Sequence, residues 1–281
     1  MSIKNPSCIV LFEAGRLGNQ IFQYQAIRSL FPKTRVETVD FNELIECFDL
    51  TDIQKTKGLT RFFWRKLKKY GWLDTFLNLG LMSYTKESQD SLTYNLHFHQ
   101  GHYSRWLIFH NCYFQNYEFV NLEVCNSLVI QQQYRDQATN CLAPLDRSRP
   151  LFFLHVRQGD YQETGWSLAC EWYLRQIQQV LEQYPNASFI VLSDSPQTVS
   201  NWFAHIPNMH FSHENQYVDL AMMAQCKGGI LSASSFSFWG AYFSYRDHPD
   251  GLYIGPKYWI GHTRQEWYPP KIAAPWIQYY D

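Results

Sequence analysis

The segment 151–161, LFFLHVRQGDY, constrains the fold most, because an apolar run there passes directly into charged residues. The run Leu151–Leu154 follows the breaker Pro150 and predicts a buried strand. Arg157 and Asp160 come just after it. In open α/β sheets the carboxyl ends of strands face the ligand crevice, where an arginine can hold a phosphate through its planar fork of donors. The alternative is a structural ion pair between these two residues.

A second unit of this kind lies near the N-terminus. The apolar strand Cys8–Phe12 leads into a turn with Gly15 and Gly18 and then into a helical pattern. The glycines let the backbone approach a ligand closely, and the amides at the helix start can receive an anion or a sugar hydroxyl. Because the dinucleotide pattern GxGxxG is not matched, this unit alone is only a weak indication of a binding site.

A third unit lies near the C-terminus, where serines follow the short strand Gly229–Leu231. Ser232, Ser234, Ser235 and Ser237 precede an apolar helical segment. Hydroxyls and open amides at such a junction suit a phosphate or a ribose. The alternative for each serine is ordinary N-capping of the helix.

Strands and helices alternate through the second half of the chain. Residues 170–185 give a one-sided helix, and the apolar strand 187–194 follows it, as a parallel sheet requires. A length of 281 residues suits two domains. The polar segment 131–150 predicts a linker, which places an N-terminal domain at 1–148 and a C-terminal domain at 149–281.

Composition narrows the function classes. The net charge is -1, from 24 basic and 25 acidic residues, so no global field favours nucleic acid. Aromatic residues make up 17% of the chain, and such rings stack on the apolar faces of sugars, although most of them must form the core. Seven scattered cysteines without a CxxC pair argue against a disulfide framework and a structural zinc site. With an N-terminal apolar stretch too short for a signal peptide, these features predict a cytoplasmic protein.

One segment between these units combines basic and apolar residues. Residues 59–80 place Arg61 and Arg65 on one helical face and Phe63 and Leu67 on another. Such a helix can rest on an anionic membrane surface, which would make the protein membrane-peripheral. The alternative is an ordinary surface helix packed on the N-terminal domain.

Five blocks in chain order resemble the α-1,2-fucosyltransferases of glycosyltransferase family 11. They are GRLGNQIFQYQA (15–26), NCYFQNYEF (111–119), HVRQGDY (155–161), VLSDSP (191–196) and DLAMMAQCKGGILSASSFSFWGAYF (219–243). The chain departs from the family at four positions. Gln158 stands where a second arginine is usual, Arg16 where glycine is common, Ala233 where an asparagine precedes the serine pair, and Phe238 where the first of two tryptophans is usual.

The resemblance implies an α/β fold of GT-B type, with two Rossmann-like domains facing across a cleft. The N-terminal domain would take the acceptor and the C-terminal domain the nucleotide. The implied reaction is inverting and needs no cofactor and no metal. It moves L-fucose from GDP-β-L-fucose to the 2-hydroxyl of a galactose-terminated oligosaccharide. A GT-B transferase using another nucleotide sugar, or a glycan-binding module without turnover, stays an alternative.

The resemblance also assigns donor-binding residues. GDP departure leaves charge on the β-phosphate, so fixed positive groups are needed there. Arg157, in the HVRQGDY block, would hold the diphosphate. Ser234, Ser235 and Phe236 would add hydroxyl and amide donors. His155 and Asp194 match positions around the guanosine.

Chemistry supports Asp194 in that role, because a carboxylate accepts from guanine N1 and N2 together. Its alternative role is a helix cap before Pro196.

The remaining catalytic roles concern the acceptor. Asn19 and Gln20, in the GNQ of the first block, are expected to face the cleft near the reacting sugar. Asp160 could take the acceptor proton, but the charge of Arg157 would lower its pKa, so orienting the arginine suits it better. The other candidates for the proton acceptor are Glu13, Glu163, His155 and a phosphate oxygen of the donor.

Overall fold

The chain folds into two α/β units, Met1–Val129 and Ile130–Asp281. The computed structural model describes residues 6–89, 94–101, 103–109 and 111–281. Each unit is built on one six-stranded sheet with its own buried core.

The N-terminal unit begins with the predicted strand, turn and helix. Its elements are β1 (Cys8–Phe12), α1 (Leu17–Leu30), β2 (Arg35–Val39), α2 (Asn42–Cys47), β3 (Ile53–Lys55), α3 (Gly58–Lys69), α4 (Trp72–Asn78), β4 (Met82–Gln89), β5 (Tyr94–His99), β6 (Tyr103–Phe109) and α5 (Leu122–Ser127). The strand order is β3-β2-β1-β6-β4-β5, and the strands pair in parallel except β5, which is antiparallel to β4. All five residues of β1 are buried, as a central strand covered on both faces requires.

The C-terminal unit holds a second sheet, and all of its paired strands are parallel. Its elements are α6 (Gln132–Leu142), β7 (Leu151–Val156), α7 (Gly159–Thr164), α8 (Cys170–Gln183), β8 (Ser188–Ser193), α9 (Pro196–Phe203), β9 (Met209–Phe211), α10 (Gln216–Ala224), β10 (Gly228–Ile230), α11 (Ser235–Asp247), β11 (Tyr253–Pro256) and β12 (Gln278–Tyr280). The order β9-β8-β7-β10-β11-β12 is the Rossmann order, with β7 as the first strand of the series.

Two glycines in β10 allow it to pair closely with β7. Gly228 and Gly229 lie opposite Phe152 and Phe153. A Cβ atom added at Gly229 would lie 2.2 Å from a ring carbon of Phe153. The bulky apolar run of β7 therefore requires glycine in the neighbouring strand, which brings the loops after these two strands together.

The prediction of a linker over residues 131–150 is wrong for the first half of the segment, which forms helix α6. Tyr134, Ala138 and Leu142 are buried at a spacing of four residues, and the Tyr134 ring contacts that of Tyr217 on α10. Since α6 packs on α10, the units divide between Val129 and Ile130 and not at residue 148. The polar residues of α6 face solvent, which made the segment resemble a linker.

The basic segment 59–80 is two helices, because Gly71 adopts a left-handed backbone (φ 68°) between α3 and α4. Trp64 and Leu67 of α3 are buried in the core of the N-terminal unit. Within the described residues, no helix has the length and apolar character needed to span a bilayer.

Candidate functional site

The predicted donor residues lie at the carboxyl ends of β7, β8 and β10. The pair β7 and β10 is the point where the strand order reverses, and ligands of open α/β sheets bind at this switch point. Parallel pairing therefore brings together segments that are far apart in the sequence. His155 and Arg157 come from the end of β7, Asp194 from the end of β8, and the serines from the end of β10.

His155 links β7 to the serine segment. The residue is 6% exposed, and its Nδ1 lies 2.8 Å from Ser232 Oγ. Burial, and then the charge of Arg157, lowers the pKa of His155 to about 3. The imidazole is therefore neutral at physiological pH, with one nitrogen a donor and the other an acceptor. The Phe236 ring packs against it, with ring centres 5.5 Å apart.

Arg157 is held by two carboxylates and an aromatic ring. Its Nη2 donates to Asp160 Oδ1 at 2.7 Å, and its Nε lies 3.2 Å from Asp194 Oδ2. Its guanidinium carbon lies 5.5 Å from the centre of the Tyr161 ring. No bond to Nη1 occurs among the residues that the structure describes. The guanidinium is thus fixed in orientation, with part of its donor fork available to a ligand.

Asp160 and Asp194 differ in their surroundings. The Asp160 side chain is 65% exposed, whereas that of Asp194 is 22% exposed. Asp194 Oδ1 also accepts from the backbone N–H of Gln158 at 2.9 Å. The alternative of a helix cap is wrong for Asp194, because Ser195 is the N-cap residue of α9. Asp194 instead fixes the backbone that carries Arg157, and its predicted guanine contact stays a prediction.

Close approach of this backbone to Asp194 requires Gly159. A Cβ atom there would lie 2.5 Å from Asp194 Oδ2. The Gln158 side chain is buried and donates to the carbonyl of Leu168 at 3.2 Å. At this position, where the family usually has a second arginine, the chain therefore has a buried amide used for local structure.

Some of the serines after β10 use their hydroxyls in bonds within the protein, whereas another has a hydroxyl that can bind a ligand. Ser234 is the N-cap of α11, and its Oγ accepts from the Phe236 N–H at 3.2 Å. Ser237 Oγ donates to the carbonyl oxygens of Ser232 and Ser234. The hydroxyl of Ser235 makes no hydrogen bond within the described ranges, and the residue is half-buried. The N-capping alternative is thus correct for Ser234, while Ser235 is free to donate at the start of a 13-residue helix.

In the N-terminal unit, the Gly15 turn after β1 leads into the first turn of α1, which holds Gly18, Asn19 and Gln20. Gly15 has a positive φ of 77°, and a Cβ atom there would overlap the Asn19 side chain. Asn19 Oδ1 accepts from Gln115 Nε2 at 2.6 Å, which joins the first and second family blocks. Gln20 is 1% exposed, and its side-chain oxygen accepts from the Leu44 N–H at 3.0 Å. Gln20 is therefore a structural residue, contrary to the expectation that it faces a bound sugar.

Glu13, at the end of β1, has an unusual environment. Burial, and then the nearby Asp40 carboxylate, raises the pKa of Glu13 above its ordinary value of 4.5. Gln20 Nε2 lies 3.4 Å from Glu13 Oε2. Lys68 Nζ lies 3.4 Å from the Glu13 carbonyl oxygen and limits the rise in pKa. Among the candidate proton acceptors, Glu13 thus combines a strand-end position with an increased proton affinity.

Sequence reasoning missed two residues that shape the site. Tyr161 lies beneath Arg157, and its hydroxyl donates to the carbonyl of Ala233 at 3.4 Å, so it connects the arginine and serine segments. An aromatic residue four positions after an arginine was the available signal, since arginine often packs on an aromatic ring. Lys68 belongs to the basic segment 59–80, but its proximity to Glu13 depends on how α3 packs and is not visible in the sequence.

Solved structures share this two-unit fold. Fucosyltransferase NodZ from Bradyrhizobium aligns with a TM-score of 0.55 at 9% identity, over 84% of this chain and 92% of NodZ. POFUT1 in complex with GDP aligns with a TM-score of 0.53 at 12% identity, over 90% of this chain and 99% of POFUT1. Two Rossmann-like units with polar residues at the strand ends define a glycosyltransferase fold of GT-B type, as predicted.

The family follows from the sequence. The model of glycosyl transferase family 11 matches residues 11–273, and the chain belongs to this family. The family assignment made from the five blocks is confirmed.

Curated relatives match the chain at 22% to 29% identity. The O-antigen biosynthesis glycosyltransferase WbnK of Escherichia coli is 26% identical over 149 residues, which are 50% of this chain and 45% of WbnK. The human galactoside alpha-(1,2)-fucosyltransferase 1 is 22% identical over 264 residues, which are 83% of this chain and 65% of the human protein. An alpha-1,2-colitosyltransferase of Escherichia coli is 29% identical over 118 residues, which are 38% of this chain and 40% of that protein. The chain spans less than two thirds of the length of these relatives.

Proposed function

We propose that this family 11 glycosyltransferase moves L-fucose from GDP-β-L-fucose to the 2-hydroxyl of a terminal β-galactoside, with inversion. The observation that carries the proposal is the meeting of Arg157 and the serine segment at the switch point between β7 and β10. The names of the relatives support the reaction, since they include galactoside alpha-(1,2)-fucosyltransferase 1. Solved neighbours of the fold include POFUT1 in complex with GDP-fucose.

On the donor side, the guanidinium of Arg157 would stabilise the charge that forms on the β-phosphate as GDP leaves. Because Asp160 and Asp194 fix its orientation, little reorganisation is needed when that charge appears. Ser235 Oγ and the N–H groups at the start of α11 would donate to the same phosphates, apart from the predicted Phe236 N–H, which already bonds to Ser234 Oγ. The neutral His155 and the carboxylate of Asp194 would contact the guanosine.

On the acceptor side, we assign proton removal to Glu13. His155 is too weak a base, because burial lowers its pKa to about 3. Asp160 is committed to Arg157 and largely exposed. The raised pKa of Glu13 makes its carboxylate a better proton acceptor than an ordinary one. Asn19, held by Gln115, would position the acceptor sugar.

We further propose that the reaction needs no metal ion. Positive charge from Arg157 and N–H donors from α11 would take the place of a divalent cation at the diphosphate. No cluster of three or more histidine, cysteine, aspartate or glutamate side chains suited to a metal occurs in the described part of the chain. Turnover should therefore be unchanged in excess EDTA.

The nucleotide preference gives a direct test of the donor. A ligand that binds only the folded protein raises the thermal unfolding midpoint. GDP should raise the midpoint more than UDP or CDP at equal concentration. The R157A variant should show a smaller shift with GDP than the wild type does. A larger shift with UDP or CDP would identify a different donor and overturn the assignment of the site.

A colitosyl donor is the second candidate function, because an alpha-1,2-colitosyltransferase is among the relatives. Colitose differs from fucose by the loss of one hydroxyl, so both sugars would use the same diphosphate contacts. Comparing kcat/KM for the two GDP-sugars separates these reactions. A glycan-binding module would show no turnover with either donor.

A further inference from the structure

The outer surface of α3 and the start of α4 carries large apolar side chains in solvent. We call Leu59, Phe62, Phe63, Tyr70 and Trp72 the aromatic face. Phe62 is 60% exposed and Trp72 is 61% exposed. The members on α3 recur at intervals of three and four residues, which places them on one side of the helix. Single exposed apolar residues are common, but a row of five along one surface indicates a binding surface.

Other side chains hold the two helices on the domain, although the Phe63 ring also packs on the buried Trp64 ring. The opposite side of α3 and α4 buries Trp64, Leu67, Leu73 and Leu77 against the sheet. Arg61 and Arg65 also pair with Asp40, which follows β2. The helices are thus anchored by a complete inner surface, and the aromatic face is left for another partner.

Positive charge surrounds the aromatic face. Lys66 Nζ lies 5.2 Å from the centre of the Phe62 ring and 5.1 Å from that of Tyr70. Lys69 Nζ lies 5.9 Å from the Tyr70 ring centre. From residue 57 to residue 74 the sequence holds six basic residues and one acidic residue, although the whole chain has a net charge of -1. Arg61 and Arg65 pair with Asp40, so Lys66 and Lys69 supply the positive charge beside the aromatic face. This local charge favours an anionic partner.

We propose that the aromatic face binds the surface of an anionic phospholipid bilayer. Tryptophan, tyrosine and phenylalanine favour the membrane interface, while lysine stems lie along the apolar region and place their ammonium groups among the headgroups. A helix surface of lysines and aromatic rings suits this fluid, uniformly charged partner better than a protein groove. The binding would be peripheral and reversible.

Vesicle cosedimentation tests the proposal with the whole protein. Vesicles of phosphatidylcholine with 30% phosphatidylglycerol should pellet the wild type, and pure phosphatidylcholine vesicles should pellet much less of it. Added salt should release the protein, because screening weakens attraction to the headgroups. The F62S/W72S variant and the K66E/K69E variant should each bind at least about tenfold more weakly.

Two matched controls exclude a general effect of the substitutions. Leu122 is as exposed as Phe62 but lies on α5, so L122S should bind like the wild type. Lys33 is exposed outside the face, so K33E should weaken binding less than the double charge reversal. The proposal would be refuted if the wild type bound both vesicle types equally. It would also be refuted if F62S/W72S and K66E/K69E both bound the anionic vesicles as tightly as the wild type. A self-association of the wild type that F62S/W72S abolishes, without lipid binding, would identify a second copy as the partner and equally refute it.

Discussion

Replacing Arg157 with alanine should lower kcat by at least about a hundredfold, the usual scale for the loss of one charge-stabilising donor. The reason is that the guanidinium is already oriented before the donor binds. Asp160 and Asp194 contact its Nη2 and Nε, and the Tyr161 ring lies beneath it. A guanidinium fixed in this way stabilises charge in the transition state without having to reorient during the reaction. Steady-state rates of GDP release measure the effect.

Two further variants separate charge from geometry at this position. R157K keeps the charge but loses the planar fork, so it should recover only a small part of the activity. R175A removes an exposed arginine of α8 and should retain the wild-type rate. Near-UV circular dichroism checks folding, because R157A leaves Asp160 and Asp194 without their cation. Wild-type kinetics in a folded R157A protein would remove Arg157 from the mechanism.

Replacing Glu13 with glutamine should lower kcat by about 100- to 10,000-fold, the range expected for loss of a general base. Glutamine has nearly the same shape but cannot accept the proton. Because Glu13 would accept the proton during the reaction and would not hold the bound acceptor, KM for the acceptor should change little. Glu182 is an exposed residue of α8, and E182Q serves as the matched control with an unchanged rate.

The pH dependence gives a second readout for Glu13. The carboxylate must be deprotonated to act, and burial raises its pKa above 4.5. The rate of the wild type should therefore fall with decreasing pH at a higher pH than an ordinary glutamate would give. This acidic limb should be absent from the residual activity of E13Q. An unchanged rate and profile in E13Q would leave the proton to a phosphate oxygen of the donor.

Local patterns predicted the strands that carry the site. The run ending at Val156 was recognisable because Pro150 precedes it and Arg157 follows it. The same holds for β1 before the Gly15 turn. Strand ends of parallel sheets gather polar residues, so the predicted donor residues came together as expected. In each case the information lay within about ten consecutive residues.

Features that depend on distant contacts were not predictable in this way. The bond from the Gln158 N–H to Asp194 joins residues 36 positions apart, and it replaced the capping role considered for Asp194. Gln20 belongs to a family motif, but burial against Leu44 makes it structural. Helix α6 buries only three side chains, too weak a pattern to show that it belongs to the C-terminal unit. Contacts between residues far apart in the sequence determine all three of these features.

The most direct measurement is an assay of the purified protein with GDP-fucose and a panel of β-galactosides, followed by linkage analysis of the products. We expect acceptor-dependent release of GDP and a product with fucose in α-linkage to the 2-hydroxyl of galactose. R157A and E13Q should form this product far more slowly. Transfer of a different sugar in preference to fucose, or attachment to another position of the acceptor, would contradict the proposed reaction.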